Sequence, residues 1–395
     1  RGSSRMEPAA ATGAEWPPRR KVIDLRWTAE QVEKDTPSRR DGIPDQAERG
    51  KRFSAGQQAR SAVKELLGGG RPELEEPCGR AQMLACLYIQ LFYMFRSLRQ
   101  EEPEVVAVAA AFLACKVEDV HIKMRDLLRT YNLQRTRDGH PELSEEEQRR
   151  LRDRVVRVEF LLLRIISFDC DVTLPIEEVD GLADRLLAGL TRAPAFRDWA
   201  ASRGLQPVAA ANELKPQVSQ VSRTFLKDAM LGLGPVMFTP RMLAAGAVVF
   251  ATRWVFNKRY QTRGSIVPMQ EMCRLVEESG NEGLAEKAFE EILKVFKMSC
   301  AQQAQAAKAA SSAAPGAAAA LHGGAAAPSS AHEARELRGA AEAAVASSAS
   351  APCVATEHEI PSPPRFKRVM QHAAAEAGGR SSSAAAPAAE AAATA

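Results

Sequence analysis

Pro103-Glu-Val-Val-Ala-Val-Ala-Ala-Ala-Phe-Leu-Ala-Cys-Lys-Val117 is the stretch of this sequence that decides the fold. A proline in the first turn of a helix costs little, because the N–H that it lacks would have no partner there. Ala107, Ala110 and Ala114 follow at helical spacing within a bulky apolar run. Small residues at this spacing form a smooth stripe along which other helices can approach closely. The stretch therefore predicts a central helix surrounded by others.

The same pattern returns at an offset of 137 residues. Pro240 begins a second apolar run, in which Ala244, Ala247 and Ala251 repeat the small-residue spacing. Any alanine-rich helix can match another by chance, but proline and alanines together favour one helical unit that occurs twice. We therefore expect an all-α protein with two similar helical units.

Apolar residues at helical spacing, separated by Gly or Pro, predict two series of five helices and almost no strand. The predicted helices lie near residues 51–67, 78–96, 103–117, 122–131 and 145–168, and then near 176–189, 213–231, 240–256, 266–279 and 282–299. Thr28 with Gln31, and Ser144 with Glu147, have the spacing of capping boxes, which mark helix starts. Two i,i+4 ion pairs are predicted on the solvated face of the fifth helix, Glu145 with Arg149 and Glu146 with Arg150.

Composition changes along the chain indicate its organisation. We predict a disordered N-terminus (1–24), an N-terminal segment with a short helix (25–50), a first unit (51–172), a second unit (173–300) and a disordered tail rich in Ala, Ser, Pro and Gly (301–395). Residues 132–143 and 189–212 are longer than usual helix connections, so we expect surface insertions there. The second of these has a small apolar cluster of its own around Phe196 and Trp199.

Charge and cysteine usage exclude several classes of protein. A formal charge of +4 over 395 residues does not indicate nucleic-acid binding driven by bulk charge, and no apolar run approaches the length of a membrane span. The seven cysteines have irregular spacing without a C-x-x-C pair, which favours reduced core residues of a nuclear or cytosolic protein. His121 and His140 are too separated to suggest a metal site.

No catalytic motif occurs in the sequence. G-x-S-x-G, a P-loop, H-E-x-x-H and a kinase glycine-rich loop are all missing. We therefore expect a binding protein without catalytic residues, metal or cofactor.

Lys116 and Glu159 are charges within apolar stretches, and leaving either one buried and unpaired would cost several kcal/mol. If both point outward from neighbouring helices, their partner is another protein. The alternative is that Lys116 merely ends its helix beside the negative end of the dipole, while Glu159 pairs with Arg157 or another near neighbour.

Four stretches in the first unit together resemble the cyclin box, and the closest cyclins are the transcriptional K, T and L types. They are Thr36-Pro-Ser-Arg-Arg-Asp-Gly-Ile43, Phe92-Tyr-Met-Phe95, Phe112-Leu-Ala-Cys-Lys-Val-Glu-Asp119 and Val158-Glu-Phe-Leu-Leu-Leu-Arg-Ile-Ile-Ser-Phe-Asp169. Two later stretches are similar to the second box of these proteins, Val221-Ser-Arg-Thr-Phe-Leu-Lys-Asp-Ala-Met230 and Pro240-Arg-Met-Leu-Ala-Ala-Gly-Ala-Val-Val-Phe-Ala-Thr-Arg-Trp254. The resemblance covers about residues 25 to 300 and implies tandem five-helix cyclin boxes.

The resemblance implies a nuclear regulatory subunit that forms a heterodimer with a cyclin-dependent serine/threonine kinase and activates it. The substrate of the complex would be the C-terminal repeat domain of RNA polymerase II. In cyclins, the lysine that matches Lys116 donates to backbone carbonyls around the kinase αC helix, and the glutamate that matches Glu159 accepts from amides there. The remaining kinase-binding residues that the family implies are Val117, Glu118, Leu163 and Phe168.

The sequence departs from the family pattern at several points. Asp119 stands where glutamate is usual and Cys170 where leucine is common, and the tail has neither Arg-Ser repeats nor a histidine-rich tract. Ser362-Pro-Pro-Arg365 fits a proline-directed kinase site.

Two alternatives stay open, a IIB-like transcription factor that binds promoter DNA with the same tandem fold and a helical scaffold without kinase activation. The cysteines and the small net charge do not favour the IIB-like reading.

Overall fold

A computed structural model of the chain describes residues 25–67, 72–260 and 266–312. All regular secondary structure in these ranges is helical, which confirms the predicted all-α class. Two short 3-10 turns, Pro72–Leu74 and Pro175–Glu178, accompany the α-helices. The α-helices are α1 (Ala29–Lys34), α2 (Pro37–Arg40), α3 (Asp45–Leu67), α4 (Glu75–Phe95), α5 (Pro103–Val117), α6 (Met124–Arg137), α7 (Glu145–Ile165), α8 (Val179–Leu190), α9 (Pro194–Ala201), α10 (Pro207–Ala229), α11 (Gly234–Met237), α12 (Pro240–Arg259), α13 (Met269–Val276) and α14 (Leu284–Ser312).

Helix α5 is central to one group of helices and α12 to another. Helices α3, α4, α6 and α7 all pack against α5, whereas α8, α10 and α13 pack against α12. The alanines of both predicted stripes are completely buried. The backbone of α14 approaches α12 closely at Gly246, where an added Cβ would lie 2.7 Å from the backbone N of Phe289. The chain up to Phe296 forms one compact unit, so the predicted boundary between two boxes at 172/173 stays a prediction.

The helix starts marked by proline or a capping box are confirmed, whereas α3 begins at Asp45 rather than near 51 and α10 at Pro207 rather than near 213. Pro103 and Pro240 occupy first-turn positions, and Thr28 and Ser144 form capping boxes with Gln31 and Glu147. The hydroxyl of Ser144 accepts from the backbone N–H of Glu147, whose carboxylate accepts from the backbone N–H of Ser144 at 2.8 Å. These bonds lower the pKa of the Glu147 carboxyl group.

Several boundaries differ from the prediction. Helix α6 continues to Arg137, so the first half of the expected insertion at 132–143 is helical rather than looped. The side chain of Asn132 holds the chain after α6 back against the helix. Its Nδ2 donates to Glu142, and its Oδ1 accepts from the backbone N–H of Leu143. Helix α14 likewise extends to Ser312, past the predicted boundary at 300. Residues 1–24 and 313–395, where disorder was predicted, lie outside the described residues.

The segment 189–212 is not the surface insertion that the sequence predicted. It contains α9 and the beginning of α10, and Phe196 on α9 is completely buried. The Phe196 ring lies 5.3 Å from Trp199 and 6.3 Å from Phe256 of α12, measured between centroids. Aromatic pairs at these separations are attractive, so the apolar cluster is part of the core.

A buried ion pair within α3, Arg52–Glu48, is hydrogen-bonded to α4. Arg52 donates to Glu48 Oε1 at 3.1 Å, to Gln90 Oε1 at 2.9 Å and to the Gln90 carbonyl at 2.6 Å. Thr36, the N-cap of α2, donates to the other oxygen of Glu48 at 2.7 Å, and the Gln90 amide donates to the Leu231 carbonyl at 2.8 Å. Burial lowers the pKa of Arg52 to about 10, which still leaves it charged at neutral pH.

We expect Arg52→Met to lower the free energy of unfolding by about 3–5 kcal/mol, because the Glu48 carboxylate would be left buried without its counter-ion. Guanidinium chloride unfolding of the full chain, followed by helical circular dichroism, measures the change. The exposed pair Arg40–Asp35 provides the control, since Arg40→Met should cost at most about 1 kcal/mol. The double variant Arg52→Met, Glu48→Met leaves no buried charge unpaired, so it should be more stable than Arg52→Met alone. A double variant that is no more stable than Arg52→Met would contradict the explanation.

Candidate protein-binding face

Lys116 and Glu159 form an ion pair between α5 and α7. Lys116 Nζ lies 2.7 Å from Glu159 Oε1 and 4.0 Å from the centre of the Phe112 ring. The Lys116 side chain is 49% exposed and that of Glu159 only 11%. Arg157 pairs with Glu101 instead, at 2.9 Å, so the alternative partner considered for Glu159 is wrong. In the unbound chain the two charges therefore satisfy each other at the surface.

The two helices that carry this pair end in the same way. The N–H of Val120 donates to the Cys115 carbonyl at the end of α5, and the N–H of Phe168 donates to the Leu163 carbonyl at the end of α7. Together with Asp119 N–H to Lys116 and Ser167 N–H to Arg164, these bonds form Schellman motifs. A Schellman motif needs a left-handed residue after the helix, a position that usually holds glycine.

Neither helix has glycine at its left-handed position. Asp119, Ser167 and Phe168 have φ values of 59°, 56° and 59°. A left-handed backbone costs a residue with a Cβ roughly 1–2 kcal/mol. At Phe168 this conformation turns the ring back towards α7, where its centroid lies 6.2 Å from that of Phe160. Strain of this kind is found at binding sites, where the surrounding structure maintains it.

The surface beside the ion pair is apolar. Val156, Phe160 and Phe168 are 49%, 54% and 60% exposed, and half-buried Leu163 lies on the same side of α7. Only six large apolar side chains are exposed in the described parts of the chain, and these three belong to one face. A clustered apolar patch of this kind marks an interaction site, whereas single exposed apolar residues do not.

Sequence reasoning missed Val156 and Phe160. Helix α7 carries two apolar stripes, of which Leu151, Val155, Val158 and Leu162 form the buried one. The exposed stripe consists of Val156, Phe160 and Leu163, spaced i, i+4 and i+7. The signal was therefore present, since a band wider than one core-facing stripe indicates a second contact surface. We call this stripe, with Lys116, Glu159 and Phe168, the recognition face.

The structure brings most of the predicted site residues together. Val117 is half-buried in the last turn of α5 beside Lys116, and Leu163 and Phe168 lie on the recognition face. Glu118 has an internal role, because it accepts from Arg80 of α4 at 2.9 Å. Arg80 also pairs with Glu177, in the turn before α8. Ser362, the predicted phosphorylation site, lies outside the described residues.

The described residues give no sign of a reactive centre. No group of three or more metal-binding side chains occurs among them, and no described helix has the length and apolar character to span a membrane. Burial raises the pKa of Cys86, Cys115 and Cys273 to about 12. At neutral pH these three are thiols rather than nucleophilic thiolates.

Comparison with known proteins bears on the family of the chain. No family model matches it. Cyclin pch1 of Schizosaccharomyces pombe is 26% identical over 221 residues, which cover 55% of this chain and 54% of the relative. The chain thus spans about half the length of the curated relative that it matches. The helical fold, the order of the cyclin-box motifs and this match agree with the resemblance of the chain to the cyclin family.

Solved structures also match, among them two complexes. The yeast TFIIK complex of Kin28, Ccl1 and Tfb3 matches with 15% identity and a TM-score of 0.39, covering 64% of this chain and 96% of that chain. The CAK complex of Chaetomium thermophilum bound to ATP-gamma-S matches with 14% identity and a TM-score of 0.33, covering 76% and 95%. Both TM-scores lie below 0.5, so the description of the fold rests on the helices themselves.

We expect Ser167→Gly to raise the free energy of unfolding by about 0.5–1 kcal/mol, because glycine adopts a left-handed backbone without steric cost. Urea unfolding of the full chain measures the change. Gly139→Ala is the matched control of opposite sign, since Gly139 has φ +83° and open space around its Cα. Equal stability of the Ser167→Gly variant and the wild type would contradict the assignment of strain to this helix end.

Proposed function

We propose that the chain is the regulatory subunit of a cyclin-dependent serine/threonine kinase, of the transcriptional K, T or L type. The observation that carries this proposal is the Lys116–Glu159 pair beside the exposed apolar surface of α7. The proposed substrate of the complex is the C-terminal repeat domain of RNA polymerase II, and its proposed location is the nucleus. The similarity to Cyclin pch1 supports the cyclin role.

In the complex, the apolar groups would contribute buried surface area and the charged groups would contribute directional hydrogen bonds. Val156, Phe160, Leu163 and Phe168 supply surface that is removed from water, at about 25 cal/mol per Å² of apolar area. Lys116 donates to backbone carbonyls of the kinase αC helix, and Glu159 accepts from backbone amides. Hydrogen bonds with one charged partner are stronger than neutral ones, so this pair fixes the register of the kinase helix.

The internal pairing of Lys116 with Glu159 is compatible with this role. A half-exposed ion pair contributes at most about 1 kcal/mol, so a partner that offers carbonyls and amides can compete for both groups. Glu159 is the more buried of the two, and pairing with Lys116 spares it the cost of an isolated buried charge. The face is therefore preformed before the partner binds.

Activation then follows from positioning alone. Docking favours the kinase conformation in which the αC glutamate meets the strand-β3 lysine, and this ion pair organises ATP for phosphoryl transfer. All reacting groups belong to the kinase and its substrates. The chain contributes no atom to the reaction, which agrees with its lack of catalytic motifs.

We expect the double variant Lys116→Ala, Glu159→Ala to bind its kinase at least about tenfold more weakly, because charge-assisted hydrogen bonds contribute about 1.5–3 kcal/mol each. The full chain is co-expressed with a panel of cyclin-dependent kinases. Co-purification is measured first, and phosphorylation of a polymerase repeat peptide second. The control is Lys215→Ala, Asp184→Ala, which removes an ion pair of the same length, 2.7 Å, between α10 and α8.

Equal binding by the two double variants would contradict the assignment of the face. A wild-type chain that recovers no kinase but binds promoter DNA in a salt-sensitive way would favour the IIB-like alternative. A chain that recovers a kinase without activating it would favour the scaffold.

We expect Phe160→Ala to weaken kinase binding about tenfold or more while changing the free energy of unfolding by less than about 1 kcal/mol, because its ring is exposed in the free chain and covered in the complex. Isothermal titration against the kinase and urea unfolding measure the two effects. Leu133→Ala is the control, since Leu133 is 48% exposed on α6, away from the face. Similar losses of affinity in both variants would exclude a specific role for Phe160.

A further inference from the structure

Two arginines continue the exposed stripe of α7 towards its N-terminus. Residues 149, 152, 156, 160 and 163 follow one another at intervals of three and four, so their side chains lie on one side of the helix. Arg149 and Arg152 are both exposed. With a rise of 1.5 Å per residue, Arg152 lies ~6 Å and Arg149 ~10 Å along the axis from Val156.

These two arginines differ from their neighbours on α7. Arg150 pairs with Glu146, Arg154 with Glu102 and Arg157 with Glu101. No ion-pair partner within 4.0 Å is found among the described residues for Arg149 or Arg152. The predicted pair between Glu145 and Arg149 is therefore not formed, whereas the other predicted pair, between Glu146 and Arg150, is present. Two guanidinium groups thus remain available on the side of α7 that carries the apolar patch.

Position distinguishes this pair from ordinary solvated arginines. An unpaired arginine on a polar surface needs no explanation, but Arg149 and Arg152 adjoin two exposed apolar side chains and one half-buried one on the same helix face. Interfaces combine an apolar centre with a polar rim, and arginine is enriched in them. Any partner that covers Phe160 and runs along α7 therefore passes these two positive charges.

We propose that Arg149 and Arg152 bind carboxylate side chains of the kinase, on a segment that lies along α7 beyond the apolar contact. This inference rests on the proposed function. Guanidinium groups match carboxylates in geometry and charge, so the pair would select kinases that carry acidic residues at this distance from the αC contact. Charges at the rim of an interface act mainly on the association rate and its dependence on salt.

The test uses the full chain and the kinase that it co-purifies with. Association and dissociation rates are measured by surface plasmon resonance across a series of ionic strengths, for the wild type and for Arg149→Gln, Arg152→Gln. The association rate at low salt should fall about three- to tenfold, and its dependence on salt should become weaker. Arg150→Gln is the matched control, because Arg150 lies on the same helix but points away from the apolar stripe and pairs with Glu146.

Each outcome separates this inference from the proposed function. A wild-type chain that recovers no kinase would overturn the proposed function itself. A wild type that binds, together with a double glutamine variant that behaves like Arg150→Gln, would overturn the inference alone. If the double glutamine variant associates more slowly than the wild type with the kinase as purified, but equally fast after phosphatase treatment of the kinase, the partner group is a phosphate. The assignment to carboxylates would then be wrong.

Discussion

The buried guanidinium of Arg52 is the interaction on which the rest of the structure depends. It is 2% exposed, and its hydrogen bonds join Glu48 on its own helix to Gln90 on α4. Glu48 in turn accepts a hydrogen bond from Thr36, the N-cap of α2. Gln90 donates one to the backbone carbonyl of Leu231, which follows α10. A buried charge is stable only when every bond around it is made, so the N-terminal segment and both groups of helices are held in one arrangement.

That arrangement fixes the recognition face without contributing to it. Helices α3, α4 and α7 all pack on α5, so the position of Lys116 relative to Glu159 follows from the core. The stripe of small residues around Ala110 permits this close packing. A face built on helices with a rigid core loses little conformational entropy on binding, which favours affinity.

Local chemistry explains what the sequence could predict. The starts of α5 and α7 were predicted correctly because Pro103 and the Ser144 capping box act through neighbouring atoms alone. Helix ends and the segment around Phe196 were not, because they depend on distant contacts, such as the packing of Phe196 against α12. Phe160 was missed for a related reason, since periodicity shows that a residue is apolar but not whether its partner belongs to the same chain.

The geometry of the Lys116–Glu159 pair is compatible with both the proposed recognition role and the stability of the chain alone. A buried glutamate without a counter-ion would destabilise the free protein, whereas a deeply buried pair would be unavailable to a partner. Half-exposure of Lys116 avoids both problems. The pair gives Glu159 a counter-ion in the free chain, yet it is weak enough for groups of a partner to replace it. The exposed ring of Phe168 lies against Phe160 of α7, at the end of a left-handed backbone turn. Contact area and exchangeable charge thus lie together at the ends of two helices, where a partner helix can reach both at once.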